Sequence, residues 1–149
     1  MAILTIIKAI KQVHEKDVVL VKIGSFYHIY GKDSYIISYL FGYKLKKTEG
    51  YLYTCGFPLN SISKVIAKLE EKKINYIILD RRNNYEVDEE SNNKNLNTYD
   101  KIYEKAKRYV NLKKRIDNLY EAIMEDIEQE EIKEKIKYIE EIVYEGRKI

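Results

Sequence analysis

The residues of this chain that could do chemistry are mainly basic. Lys44, Lys46 and Lys47 form one cluster and Arg81-Arg82 form another, and such groups can neutralise nucleic-acid phosphates. The lysines fit equally well as a solvated edge strand, where charge prevents pairing with other chains. Fifteen of the 18 aromatic residues are tyrosines, whose rings suit both base stacking and half-buried packing. A nucleic-acid partner is therefore one hypothesis.

No catalytic or metal-binding arrangement is visible. The two histidines, His14 and His28, stand far from each other and from Cys55, the single cysteine, so neither a zinc site nor a Cys/His nucleophile is expected. Gly31-Lys32-Asp33-Ser34 lacks the upstream glycine of a phosphate-binding loop. We therefore expect a non-enzymatic protein without a metal or cofactor.

The charge is distributed unevenly along the 149 residues. Residues 1–87 carry 14 Lys and Arg against 8 Asp and Glu, a net of +6, whereas residues 88–149 carry 13 against 16, a net of −3. A single cysteine fits a reducing compartment. The N-terminal residues have no signal-peptide pattern, and no run approaches the roughly 20 apolar residues of a membrane span. The sequence predicts a cytoplasmic protein without a membrane partner.

Regular elements must position these groups. Apolar spacing predicts a helix over residues 1–13, strands at 17–23, 26–30 and 75–80, and a short strand at 85–87. Asp33 or Ser34 is expected to cap a helix that ends near Phe41. Residues 42–47 and 51–57 are expected to pair as a hairpin, and a further helix follows Pro58, capped by Asn60 or Ser61.

The chain changes character near residue 90. The run at 89–97 is polar and predicts a linker between an α/β domain at 1–88 and a helical region at 98–149. In that region apolar residues repeat at four-three spacing, which predicts a helical hairpin or coiled coil. Its apolar stripe needs a partner, either the front domain, a second copy or another protein. The basic residues at 107–115 are expected to form a solvated face.

Several runs in the front part are similar to one known family. Val21–Tyr30 resembles the segment of MutS mismatch-repair proteins in which a strand leads into G-D-F-Y-E-L-F. Tyr53–Pro58 resembles the family's M-A-G-I-P turn, and Ile66–Leu69 and Ile77–Asp80 match the helix and strand that follow. The resemblance covers residues 3–80 and implies the MutS domain I fold, an α+β fold with a mixed β-sheet flanked by helices.

The resemblance also implies a function. In that family the phenylalanine wedges beside a mispaired base and a glutamate hydrogen-bonds that base; Phe26 occupies the first position and His28 the second. The predicted function is non-catalytic binding of mismatched or distorted DNA as an accessory factor, and the alternative is a protein–protein adaptor that keeps the fold. The predicted nucleic-acid-binding residues are Phe26, His28, Lys44, Lys46, Lys47, Arg81 and Arg82.

Overall fold

A computed structural model describes residues 3–48, 53–91 and 98–147. These residues form six strands and five α-helices and confirm the predicted α+β class with a mixed sheet followed by helices. In chain order the elements are α1 (Ile3–Val13), β1 (Val18–Ile23), β2 (Phe26–Tyr30), α2 (Lys32–Phe41), β3 (Lys46–Lys47), β4 (Tyr53–Pro58), α3 (Ile62–Glu71), β5 (Tyr76–Asp80), β6 (Glu86–Glu90), α4 (Tyr99–Glu125) and α5 (Ile132–Glu145).

The six strands form one sheet in the order β3-β4-β2-β1-β5-β6. β1 and β5 are parallel, and every other neighbouring pair is antiparallel. The parallel strands β1 and β5 are the most buried of the sheet, as expected of strands covered on both faces. The short edge strands β3 and β6 carry charged side chains, which discourages pairing with another sheet.

Each face of the sheet has its own core. The larger core buries the α2 residues Ile36 and Ile37 and the α3 residues Val65 and Leu69 against the sheet. On the opposite face Ile7 of α1 packs with alternate residues of β1 and β5, namely Val19, Val21, Ile77 and Leu79. We call these the main face and the α1 face. The amphipathic pattern predicted for the first helix is confirmed by this packing.

The first turns of α4 also belong to the main-face core. Tyr99 and Ala106 are buried there, and Tyr103 and Tyr109 contact the rings of Tyr35 and Tyr39 in α2. By its contacts, the sheet unit extends to Val110, and a second unit begins at Asn111 within the same helix. The predicted division into domains at 1–88 and 98–149 stays a prediction.

A buried ionic network fastens this helix to the sheet unit. The Asp33 carboxylate accepts hydrogen bonds from Lys11 Nζ at 3.0 Å, from the Val19 backbone N–H at 3.0 Å and from the Tyr99 hydroxyl at 2.5 Å. It thereby joins α1, β1, α2 and α4. Burial raises the pKa of Asp33, while the Lys11 charge and the three donors act in the opposite direction.

Several local predictions are corrected. Asp33 and Ser34 do not cap α2: they are buried inside it, and Gly31 stands at the N-cap without a side-chain hydrogen bond. The first hairpin strand is only Lys46–Lys47, and residues 49–52 lie outside the described residues. β6 continues to Glu90 rather than ending at 87, so the polar run predicted as a linker begins inside a strand. Residues 92–97 of that run also lie outside the described residues.

Candidate nucleic-acid interface

A tight turn places Phe26 at one end of the sheet. Phe26 is the first residue of β2 and is paired with Ile23 of β1 and Pro58 of β4. Only Gly24 and Ser25 connect β1 to β2, and Gly24 has φ 61°. A positive φ at the first of two turn residues fits a type II′ hairpin, where glycine is favoured. The Leu59 N–H donates to the Ser25 carbonyl at 3.2 Å and ties this turn to the end of β4.

The alternation of β2 leaves Phe26 open to solvent. Tyr27 and Ile29 point into the main-face core, so Phe26, His28 and Tyr30 lie on the α1 face. Phe26 remains 49% exposed because the cluster under α1 does not include it. Among the described residues up to Val110, three large apolar side chains are exposed, namely Val13, Phe26 and Val87. Phe26 is the aromatic one.

His28 is the next residue of β2 on the same face. It pairs with Gly56 of β4, where an added Cβ would lie 2.9 Å from the Tyr27 carbonyl oxygen. Glycine is therefore required, and β4 places no side chain beside the imidazole. The ring stacks on Tyr30 with centroids 6.4 Å apart. Partial burial lowers the pKa of His28 below 6.5, so at pH 7 the neutral ring offers one donor and one acceptor.

Two of the predicted basic residues lie at the same end of the sheet as Phe26. Arg81 and Arg82 follow directly after β5, whose last residue is level with Lys22 and Tyr27. They are therefore level with Phe26 and two strands away, roughly 10 Å across the sheet. Arg82 contacts the preceding Asp80 through its backbone N–H at 2.9 Å and its guanidinium at 3.4 Å. These contacts lower the pKa of Asp80, the backbone N–H most strongly.

The three predicted lysines lie at the other end. Lys46 pairs with Thr54, which pairs with Tyr30, so it is four residues along and two strands across from Phe26. Strand geometry makes this separation roughly 16 Å. Lys44, Lys46 and Lys47 are all exposed. The structure thus brings Phe26 and His28 together with the arginines nearby, and separates the lysines from them.

The sequence did not reveal that β6 makes one edge of the sheet acidic. β6 carries Glu86, Asp88, Glu89 and Glu90, all exposed, and pairs with β5 immediately beside the arginines. One edge of the sheet is therefore basic and the other acidic. The run E-V-D-E-E was visible in the sequence, but its pairing next to Arg81 and Arg82 was not. The sequence also did not reveal why residue 56 must be glycine, because the reason is the Tyr27 carbonyl oxygen on the neighbouring strand.

The parts of the chain that the structure describes contain neither a metal-ligand cluster nor a membrane-spanning helix. There, no group of three or more His, Cys, Asp or Glu side chains could hold a metal ion. In those same residues no helix is both long and apolar enough to cross a membrane.

Comparison with known protein families decides the relationship. Residues 3–110 match the family described as MutS domain I. This chain belongs to the MutS domain I family. No curated protein matches it closely.

The matched region of this MutS domain I protein is longer than the resemblance found in the sequence. It runs beyond residue 80 to residue 110, where the contacts of the sheet unit also end. Tyr99, Tyr103 and Ala106 therefore lie within the matched region. The apolar spacing from Ile102 onward predicted this helix, but it did not show that the first turns of the helix pack against the sheet unit.

Proposed function

We propose that this MutS domain I protein binds nucleic acid without catalysis, with Phe26 stacked on or wedged beside an unpaired or mispaired base. The observation that carries the proposal is the exposure of Phe26, 49% of its surface, at an end of the sheet beyond the apolar cluster under α1. A solvent-exposed phenylalanine costs hydrophobic free energy unless a ligand covers it. Distorted DNA is a suitable ligand because unstacking is cheapest where pairing is already disturbed.

The charges favour one path for the nucleic acid. Residues 1–87 have a net charge of +6, and β3 supplies exposed lysines at one edge of the sheet. The acidic β6 at the other edge repels phosphates. We therefore propose that the backbone runs from Phe26 across β2 and β4 toward Lys46, which the strand register places on the same face as Phe26, with Arg81 and Arg82 as secondary contacts. Lys47 pairs with Tyr53 and lies on the other face.

His28 determines what the interface can read. It stands where the family has a glutamate, and its neutral imidazole donates one hydrogen bond and accepts another. A carboxylate only accepts. We therefore propose recognition of a distorted or unstacked site with a base preference different from that of a glutamate-bearing relative, in an accessory role to another DNA-acting protein.

Fluorescence anisotropy at low salt tests this proposal with matched, mismatched and branched duplexes. Base–aromatic stacking contributes about 1–3 kcal/mol, so Phe26→Ala is expected to weaken binding of the distorted duplex roughly 5- to 150-fold. Val87→Ala is the matched control, since Val87 is also 49% exposed but lies on the acidic strand. His28→Glu is expected to change the preference among duplexes. Equal binding by the wild type and Phe26→Ala would refute the stacking role.

A protein–protein adaptor is the second candidate. The observation that favours it is the acidic strand beside Arg81 and Arg82, which weakens the positive field at the Phe26 end. In that case no duplex binds at any salt concentration. The wild type at 50 mM salt, where phosphate contacts are strongest, distinguishes the two candidates.

A further inference from the structure

The second unit of the chain carries most of its exposed apolar surface. Ten of the thirteen exposed large apolar side chains among the described residues lie beyond Val110. Six of them follow α4 and the turn after it, with exposures between 42% and 63%: Leu112, Ile116, Leu119, Tyr120, Met124 and Ile127. This exposure exists with α5 present, so α5 of the same chain does not cover the stripe.

The five of these side chains that lie within α4 form one continuous stripe. At 100° per residue they fall within an arc of roughly 140°, together with the half-buried Ile123, and Ile127 follows in the turn after the helix. Soluble monomers rarely expose a contiguous apolar surface of this kind without a partner for it. The residues at the middle of the opposite face, Lys114, Asn118, Glu121 and Glu125, are all polar.

The charges beside the stripe point to the partner. Residues 111–119 carry Lys113, Lys114 and Arg115 against the single acidic residue Asp117, which pairs with Lys113, whereas all the charges of residues 120–128 are acidic, namely Glu121, Glu125, Asp126 and Glu128. A second copy lying parallel to α4 would place like charges against each other. An antiparallel copy places the basic half of each helix against the acidic half of the other, which is the isologous arrangement of a two-fold dimer.

We propose that the α4 stripe docks a second copy of this chain in an antiparallel helix pair. Centred between Leu119 and Tyr120, the pair opposes Leu119 to Tyr120 and Ile116 to Ile123, and Met124 lies opposite the apolar stem of Arg115. α5 has a similar charge order, with Lys133, Lys135 and Lys137 interrupted by Glu134 and followed by Glu140, Glu141 and Glu145, which suits a position beside the pair in an antiparallel four-helix bundle.

The available area is sufficient for such a dimer. The six exposed side chains of α4 and the following turn, each about half exposed, offer on the order of 500 Å² of apolar surface at roughly 90 Å² each. A standard stable interface buries about 800 Å² on each partner, of which about 65% is apolar in homodimers. The dimer does not depend on the proposed nucleic-acid binding, because none of these residues belongs to the sheet unit.

Sedimentation equilibrium of the full chain between 1 and 200 µM tests the proposal. The wild type is expected to be a dimer, and Ile116→Glu is expected to raise the dimer dissociation constant by about 100-fold or more, because each copy would bury an unpaired charge. Ile116 is 62% exposed, so the monomer should keep its helix content by circular dichroism. Asn118→Glu adds the same side chain to the opposite face and should leave the dimer intact.

Disulfide cross-linking tests the orientation. In the antiparallel pair Leu119→Cys lies near the two-fold axis and should cross-link to itself. Leu112→Cys should not, because the two copies of that residue are about 22 Å apart along the helix. Cross-linking of both variants would overturn the antiparallel arrangement. A wild type that stays monomeric at 200 µM would overturn the dimer, whether another protein or a closed helical hairpin then covers the stripe.

Discussion

The Tyr99 hydroxyl is expected to make a measurable contribution to folding, and Tyr99→Phe removes it with little change in shape. Tyr99 is 1% exposed and the Asp33 side chain 2% exposed, so solvent cannot replace the lost hydrogen bond. A hydrogen bond to a charged buried group contributes about 1.5–3 kcal/mol. The variant should therefore unfold with a free energy lower by about that amount and melt roughly 5–9 °C below the wild type.

Urea unfolding followed by circular dichroism measures the change, and hydrogen exchange locates it. The first turns of α4 should lose protection together with the residues around Asp33, since the bond spans 66 positions of sequence. Tyr138→Phe is the control, because Tyr138 is 65% exposed and its hydroxyl is available to water. It should change the unfolding free energy by less than about 0.5 kcal/mol.

Asp33→Asn tests whether the hydrogen bonds to the Asp33 carboxylate, rather than packing alone, hold the first turns of α4 in place. Breaking a fully buried ion pair by removing one partner costs about 3–5 kcal/mol. The loss here should be smaller, because Lys11 is 23% exposed and keeps its hydrogen bonds to the carbonyls of Glu15 and Asp17. The double variant with Tyr99→Phe should lose less than the sum of the single losses, because both remove the same contact. Additive losses, or a Tyr99→Phe variant as stable as the wild type, would refute the view that this network anchors α4.

Three further outcomes follow from the structure. Burial lowers the pKa of His28, so the unfolded chain takes up a proton before the folded chain does as the pH falls through 6.5. In urea titrations from pH 7 to 5 the free energy of unfolding of the wild type should therefore fall relative to that of His28→Gln. Parallel curves for the two proteins would contradict this. Gly56→Ala should destabilise the protein by about 1–3 kcal/mol through its contact with the Tyr27 carbonyl, whereas Gly146→Ala, which meets open space, should not; thermal melts compare them. Burial raises the pKa of Cys55 to about 12, so iodoacetamide at pH 8 should label it only in urea, and rapid labelling of the native protein would argue against its burial.

The sequence predicts this fold well where the contacts are local. The helix at Ile3–Val13 and the strands at Val18–Ile23, Phe26–Tyr30 and Tyr76–Asp80 follow directly from apolar spacing. Asp33 shows where such reasoning fails. A polar residue near a helix start is usually a cap, and only the three-dimensional fold brings Lys11 and Tyr99 to its carboxylate.

The candidate site was predictable to a similar degree. The position of Phe26 follows from the resemblance and from strand alternation, and its exposure agrees with a binding role. The grouping of the basic residues was not predictable, because it depends on strand order. β3 joins the sheet beside β4 and β6 joins beside β5, which separates Lys46 from Arg81 and brings acidic residues to Arg82.

The sheet order also determines when this protein can fold during its synthesis. β1 lies between β2 and β5, and Val18 is paired with Tyr76, so one side of β1 stays without a neighbour until that residue has left the ribosome. The Asp33 carboxylate lacks its hydrogen bond from the Tyr99 hydroxyl until Tyr99 has emerged as well. The first 99 residues must emerge before both this strand and the buried carboxylate have all their partners, and the apolar run Val18–Val21 lacks its β5 neighbour until residues 76–79 have emerged.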